Sequence, residues 1–277
     1  TNVPLYVSGS NSYSGDTFIT GIRVQNAFGN SVSGTSSSNN FAFGTGNVFV
    51  SGSGSVLIRN SSNVANNFTI AGVGTTVSGV EQGAIRGSFA SDNQTAIMSG
   101  SLALSADATI TTRSTAGLTG NSLKFTGPVN LGANVLTLSP GASGGIATPI
   151  EITGGITGAG SIVVDGTASR VIISGNNNYA GGTTVTSGTL QVGSSNALGT
   201  GLVTVNGAAL DLNGQALVVG GLSGTTTGVI TSSVGGAASL SITQSTLTSY
   251  QGTITDGAGR VSLAMNGTGQ LWLSGSN

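Results

Sequence analysis

The chemistry open to this 277-residue chain rests on eight carboxylates and seven cations, because histidine and cysteine are both absent. The acids are Asp16, Glu81, Asp92, Asp107, Glu151, Asp165, Asp211 and Asp256. Asp165, Asp211 and Asp256 follow one another at intervals of 46 and 45 residues. A regular coil would bring them to one face, and carboxylates about 5 to 9 Å apart can hydrolyse glycosides. Their local setting favours a plainer role. Asp165-Gly166 and Asp256-Gly257 are turn pairs, and Asp211 sits in the string Leu-Asp-Leu-Asn-Gly. Ser14-Gly15-Asp16-Thr17 faintly copies an esterase nucleophile motif, yet no histidine exists to activate Ser14 or Thr17. Imidazole and thiolate metal sites are closed for the same reason. The calcium string Gly-Gly-x-Gly-x-Asp does not occur, and the glycine run at 154–160 lacks the Gly-Lys-Ser/Thr ending of a phosphate loop. The expectation is a chain that is not an enzyme, with no catalytic residue, cofactor or metal; a polysaccharide-degrading enzyme ranks third among the functions considered.

The cations are Arg23, Arg59, Arg86, Arg113, Lys124, Arg170 and Arg260, dispersed along a chain of net charge −1. No phosphate-neutralising cluster is visible in that spacing, so nucleic acid is not an expected partner. Charged residues make up 5% of the chain, against about 25% in an ordinary soluble domain. Water must therefore be met by the hydroxyls and amides of Ser, Thr and Asn. No apolar run approaches the roughly 18 residues of a membrane-spanning helix. The lack of cysteine suits an exported protein. A start on Thr1 and a finish on LWLSGSN are read as the limits of a segment of something larger.

What must position these residues is an all-β scaffold. Apolar and polar residues alternate in short runs at 48–50, 56–58, 102–104, 135–138, 162–164, 202–205 and 210–212, punctuated mainly by the 48 glycines. The hydrophobic fraction of 37% suffices for a core that is long and thin. Internal repetition selects the architecture. Gly9, Asn11, Tyr13, Gly15 and Thr17 recur as Gly175, Asn177, Tyr179, Gly181 and Thr183, an offset of 166, and Asn26-Ala27-Phe28-Gly29 meets Asn196-Ala197-Leu198-Gly199 at an offset of 170. LWLSGSN, 271–277, repeats LYVSGSN, 5–11, after 266 residues. One such unit cannot bury its own apolar face, whereas stacked units bury each other's. The expected fold is a parallel β-helix, a single continuous solenoid over 1–277 with repeat-like stretches at 5–29 and 171–214 and a truncated start at 271–277. Coils of roughly 20 to 25 residues would give about a dozen turns, a rod on the order of 60 Å long at about 4.8 Å per rung.

Residues 174–214, SGNNNYAGGTTVTSGTLQVGSSNALGTGLVTVNGAALDLNG, closely resemble the passenger-associated transport repeat of autotransporter-type surface proteins from Gram-negative bacteria. The matching features are Ser-Gly-x-Asn, Tyr-x-Gly-Gly-Thr, Gly-Thr-Leu-x-Val, Ala-Leu-Gly and Leu-Asp-Leu-Asn-Gly, so that Gly182 joins the corner residues named above. The first copy departs from the pattern, with Asp16 in place of the second glycine and Gly21-Ile22-Arg23-Val24 in place of Thr-Leu-x-Val. The resemblance implies a right-handed parallel β-helix exported to the cell surface, in which the repeat helps the passenger to fold and to be secreted.

Two functions follow as expectations. The first is a non-catalytic structural segment of a bacterial surface stalk or head-to-tail fibre, its partner being itself, through end-to-end stacking of coils or continuation in a longer polypeptide. The alternative is an adhesin that binds glycans or a cell surface through its lateral face. Phe18, Phe28, Phe41, Phe43, Phe49, Phe68, Phe89 and Phe125 all precede residue 126; the solenoid interior is their expected place. Tyr6, Tyr13, Tyr179, Tyr250 and Trp272 are too scattered for a binding platform, and Asn176-Asn177-Asn178 is expected to take part in amide ladders between coils.

Overall fold

A computed structural model of the chain describes residues 5–7, 11–26, 43–77, 79–114, 118–141 and 148–277. Among them every regular element is a strand. All but one of the strand pairings are parallel, and they connect segments some 20 to 30 residues apart in sequence, which is the signature of a β-solenoid. No helix among the described residues is long and apolar enough to cross a membrane.

Each coil has three faces. The first is laid down by Leu5–Val7, Arg23–Asn26, Ser55–Arg59, Ile85–Phe89, the latter half of Leu102–Ser114, Val135–Pro140 and the opening halves of Ser161–Ile173 and Thr183–Val192. It continues through Leu202–Val205, Gly221–Gly224, Leu247–Tyr250 and Gln270–Leu273. The second face runs from Asn63–Val64 through Thr95–Met98, Ser122–Phe125, Ile150–Ile152, 171–173, 189–192, Ala209–Asp211 and Val229–Thr231 to Thr253–Ile254. Thr17–Ile19, Val48–Val50, Phe68–Gly72, 102–104, Val129–Asn130 and Ile156–Thr157 begin the third, which ends in Ala216–Val219, Gly236–Ile242 and Gly259–Met265.

About nine complete turns result, from Ser55 to Met265. The shortfall from a dozen lies in coil length. Along the first face Val56, Ile85, Ile110, Leu138, Val164, Val185 and Val205 stand in register, at steps of 29, 25, 28, 26, 21 and 20 residues. Only the coils around the repeat match its short period.

Strand alternation points every second residue inward, and these inward residues stack into rows along the axis. Val24, Val56, Ile85, Ile110, Leu138, Val164, Val185 and Val205 form one such row, each at most 3% exposed. A fully buried aliphatic side chain is worth about 1.5–3 kcal/mol, and every rung adds several. At the last coil the rows continue: Leu263 lies over Leu240, Met265 over Ile242 and Leu273 over Tyr250, yet Met265 and Leu273 are 39% and 42% exposed.

The phenylalanines divide. Phe43, Phe68, Phe89 and Phe125 are interior. Phe18 and Phe49, paired across the third face, have the outward phase instead; their rings stack at 5.0 Å and 11°, with Phe18 69% exposed. Phe28 and Phe41 lie outside the described residues. One antiparallel pair, Thr76–Val77 with Val80–Glu81, belongs to a strap over the first face. Ser55 anchors that strap, its Oγ donating to the Gly83 carbonyl at 2.6 Å and accepting from the Thr75 amide at 2.9 Å.

Candidate functional site

In two coils the third face is formed by the repeat corners rather than by strands. The Asn178 and Ala180 amides donate down to the Ile156 and Gly158 carbonyls, and the Thr200 amide donates to Tyr179. Tyr179 is buried, and its hydroxyl is 2.5 Å from Thr183 Oγ1. Burial raises the phenol pKa far above its ordinary value, opposed in part by the Thr183 hydrogen bond. Gly199 lies on that ring at φ +62°, where a Cβ would meet the Tyr179 carbonyl oxygen at 2.3 Å and ring carbons at 3.1 Å. Asn177, 6% exposed, accepts from the Ile156 amide at 2.7 Å and donates to the Ala197 carbonyl at 2.6 Å. One side chain thus ties three coils together. Gly175 and Gly181 pack on the backbone of the preceding coil, and Gly182, at φ +86°, packs on Leu202 of the next. Ala197 and Leu198 are in the core. Asn196 donates to Asn176 Oδ1 at 3.0 Å, and Asn67 to Asn47 Oδ1 at 3.4 Å, which are short amide ladders.

The first copy keeps part of this design. Tyr13 is 2.7 Å from Thr17 Oγ1, the same four-residue link, although Tyr13 is 44% exposed. Gly15 packs on nothing within 4 Å, and Asn11 is half-exposed. Asp16 supplies its Oδ1 to the Asn47 amide at 2.9 Å. Gly44, at φ +65°, takes the place over Tyr13 that Gly199 takes over Tyr179, and the Thr45 amide donates to Tyr13 as Thr200 does to Tyr179. The partner of Tyr13 is therefore Ala42-Phe43-Gly44-Thr45-Gly46, which matches Ala197-Leu198-Gly199-Thr200-Gly201 in sequence. The repeated Ala-Phe/Leu-Gly-Thr-Gly string was the available signal. Of the alternative string 26–29, Asn26 ends a first-face strand and Ala27-Phe28-Gly29 lie outside the described residues, as does Gly9.

The acids are engaged in turns. Asp107 and Asp256 accept from the Val135 and Val261 amides, each at 2.8 Å; Asp92 accepts from the Thr119 amide, and Asp165 from Ser187 Oγ at 2.8 Å. Asp211 is 4% exposed and holds the Ser233 hydroxyl and amide, the Gln191 amide group and the Asn213 amide. Burial pushes its pKa up, but these four donors, led by Ser233, outweigh burial and leave the carboxyl below its ordinary range. The expected single row of Asp165, Asp211 and Asp256 does not form. Asp165 pairs with Ser187 as the first face ends, whereas Asp211 pairs with Thr231 on the second. Unequal coil lengths between them break the 45-residue arithmetic.

Two groupings were invisible in sequence. A lateral cavity of about 830 Å³ on the second face is lined by Thr95, Asn121, Ser122, Glu151, Arg170 and Thr189, among others. Glu151 there is 3.6 Å from Lys124, the one ion pair among the described residues. The expected dispersal of the cations is also corrected: Arg23, Arg59, Arg86 and Arg113 fall on four successive rungs of the first face.

Among curated proteins, the chain is 34% identical over 129 residues to "Adhesin BmaC autotransporter" of Brucella suis biovar 1 (strain 1330). The match takes in 45% of this chain and 4% of that protein, so the chain spans a small part of its relative's length. No family model matches the chain, so the transport-repeat resemblance of 174–214 is carried by its residues alone. No solved structure matches it.

Proposed function

We propose that this chain is a stretch of an autotransporter-like passenger displayed outside a Gram-negative-type cell, where it serves as a non-catalytic structural solenoid. One observation carries the reading. Apolar rows run through the parallel coils on three faces while the acids serve turn amides and hydroxyls rather than facing one another across a cleft. The autotransporter adhesin among its relatives supports the same setting and a non-enzymatic role. In this reading 174–214 acts as a folding template, since Asn177 and Tyr179 bond to the coils on either side. The half-exposed inward row of 259–273 is where a further coil stacks, from the same polypeptide or another copy. The test is electron microscopy and fibre diffraction of the native material, with protease shaving of intact cells. A thin rod with an axial repeat of about 4.8 Å, removed by shaving, supports the proposal. A compact particle with shielded ends, or one resistant to shaving because it lies inside the cell, refutes it.

A second reading, adhesion through the lateral face, is favoured by the adhesin name of the relative and by the outward Phe18–Phe49 stack. Glycan-array binding that disappears with Phe18→Ala supports it, and silence across a broad array removes it. Incubation with polysaccharides that yields neither reducing ends nor unsaturated products disposes of the degradative alternative.

A further inference from the structure

Coiling gathers the cations as it does not gather the acids. Arg23 pairs with Ser55 on the strand that carries Arg59; Ser88 stands between Arg59 and Arg113, and Arg86 between Leu57 and Thr111. All four arginines have the outward phase, since Val24, Ile58, Ile85, Thr112 and Ser114 beside them point inward and are buried. With rungs about 4.8 Å apart, four guanidinium stems rise from a patch three rungs deep.

Outward here does not mean solvated. The strap 72–84 crosses this face, held by Ser55 and by Thr111, whose Oγ1 donates to the Gln82 carbonyl. Arg86 is left 7% exposed, and among the described residues its guanidinium has no hydrogen-bond acceptor. The charges that act on it are Arg113 and Arg23; burial, followed by these two cations, pushes its pKa down to about 10. Nε of Arg23 is also buried without an acceptor. The chain supplies no counter-charge. All eight of its acids lie among the described residues, where the Lys124–Glu151 pair is the one salt bridge; Glu81, on the strap, is exposed. A buried cation beside two like charges is strongly unfavourable unless an anion joins it. Guanidinium forks match the oxygens of sulfate or phosphate, each able to donate two parallel N–H bonds.

We propose that the first face beneath the 72–84 strap is an oxyanion-binding site, in which Arg86, flanked by Arg23 and Arg113, takes up a sulfate- or phosphate-type group. Burial of Arg86 admits either a free ion or a single such group projecting from a saccharide, and keeps out a nucleic-acid backbone. The site is independent of the structural role proposed above.

Thermal unfolding of the 277-residue chain in sodium sulfate or phosphate, against sodium chloride at matched ionic strength, tests it. The expected result is a midpoint that rises saturably in the low-millimolar range of sulfate for the wild type and stays flat for Arg86→Met. That variant should also unfold at or above the wild-type midpoint in chloride, because a buried unpaired charge is gone. Should it fail to fold, Arg113→Gln at the exposed edge serves instead, with apparent sulfate affinity weakened roughly ten-fold, about 1.4 kcal/mol. A sulfated disaccharide set against its unsulfated form distinguishes the sources. A shift with the sulfated sugar places the group on a glycan, and a shift with inorganic sulfate alone makes it a free ion. Equal responses of wild type and Arg86→Met, or a linear unsaturable rise in both, would overturn the site, since that is general salt stabilisation.

Discussion

Replacing Gly199 with alanine tests whether the repeat corner is a packed device or an ordinary turn. Two costs are separable. At φ +62° a residue with a Cβ occupies the left-handed region, at about 1–2 kcal/mol. The new Cβ would also lie 2.3 Å from the Tyr179 carbonyl oxygen and 3.1 Å from its ring, so the coil below must give way, an overpacking cost of about 1–3 kcal/mol. The sum is about 2–5 kcal/mol. Gly214 is the internal control: it has φ +73° in a nearby coil, with its nearest neighbour a Val234 methyl at 3.6 Å, so Gly214→Ala carries the conformational cost alone. Both variants are followed by denaturant unfolding at the β-sheet circular dichroism band, comparing midpoints at unchanged slope. Gly199→Ala should exceed Gly214→Ala by about 1–3 kcal/mol. If the two variants are equally destabilised, the contact between Gly199 and the Tyr179 coil contributes nothing, and the reasoning about the corner fails.

Three further outcomes follow from the same geometry. Asn177→Ala should cost about 2–4 kcal/mol, because it leaves the Ile156 amide and the Ala197 carbonyl buried without partners; the same unfolding assay reads it, and a loss below about 0.5 kcal/mol would contradict the three-coil tie. Asp211 has a folded pKa below its unfolded value, so its contribution to stability is complete above the ordinary carboxylate range and is lost as pH falls through the lowered folded pKa. Stability measured from pH 6 down to pH 2 should therefore fall less steeply in Asp211→Asn than in the wild type, and parallel curves would count against it. Tyr250 has its phenol pushed up to about 12 by burial, so the stabilisation it brings is whole below about 10, the ordinary tyrosine value, and disappears as pH rises through 12. Phenolate absorbance during alkaline titration should show a late step, missing in Tyr250→Phe, that coincides with loss of the sheet signal.

Much of the scaffold was legible because its signals are local. Alternation at 162–164 and 202–205 with glycine punctuation is a strand-and-corner pattern whatever surrounds it, and the Tyr-x-Gly-Gly-Thr string encodes the Tyr179–Thr183 link within five residues. The interior of the phenylalanine set was half legible, since Phe68 and Phe125 follow the inward phase while Phe18 and Phe49 follow the outward one. Site geometry across coils was not legible. The partner of Tyr13 is reached after a long excursion, at Gly44, although a nearer string of similar composition offered itself at 26–29.

By itself, the sequence determined the parallel β-solenoid class, the corner signature and the poverty of catalytic side chains, because composition and short-range spacing carry that information. Register was decided only in three dimensions. Steps of 29, 25, 28 and 26 residues give way to 21 and 20 along one face. Which residues become neighbours depends on the sum of such steps. For that reason a regular 45-residue spacing parted Asp165 from Asp211, while the uneven spacing of Arg23, Arg59, Arg86 and Arg113 brought four cations together. Each rung is held to the next by backbone hydrogen bonds and apolar rows that tolerate corners of many lengths, so the chain's local pattern leaves the lateral neighbours open until the coils have stacked.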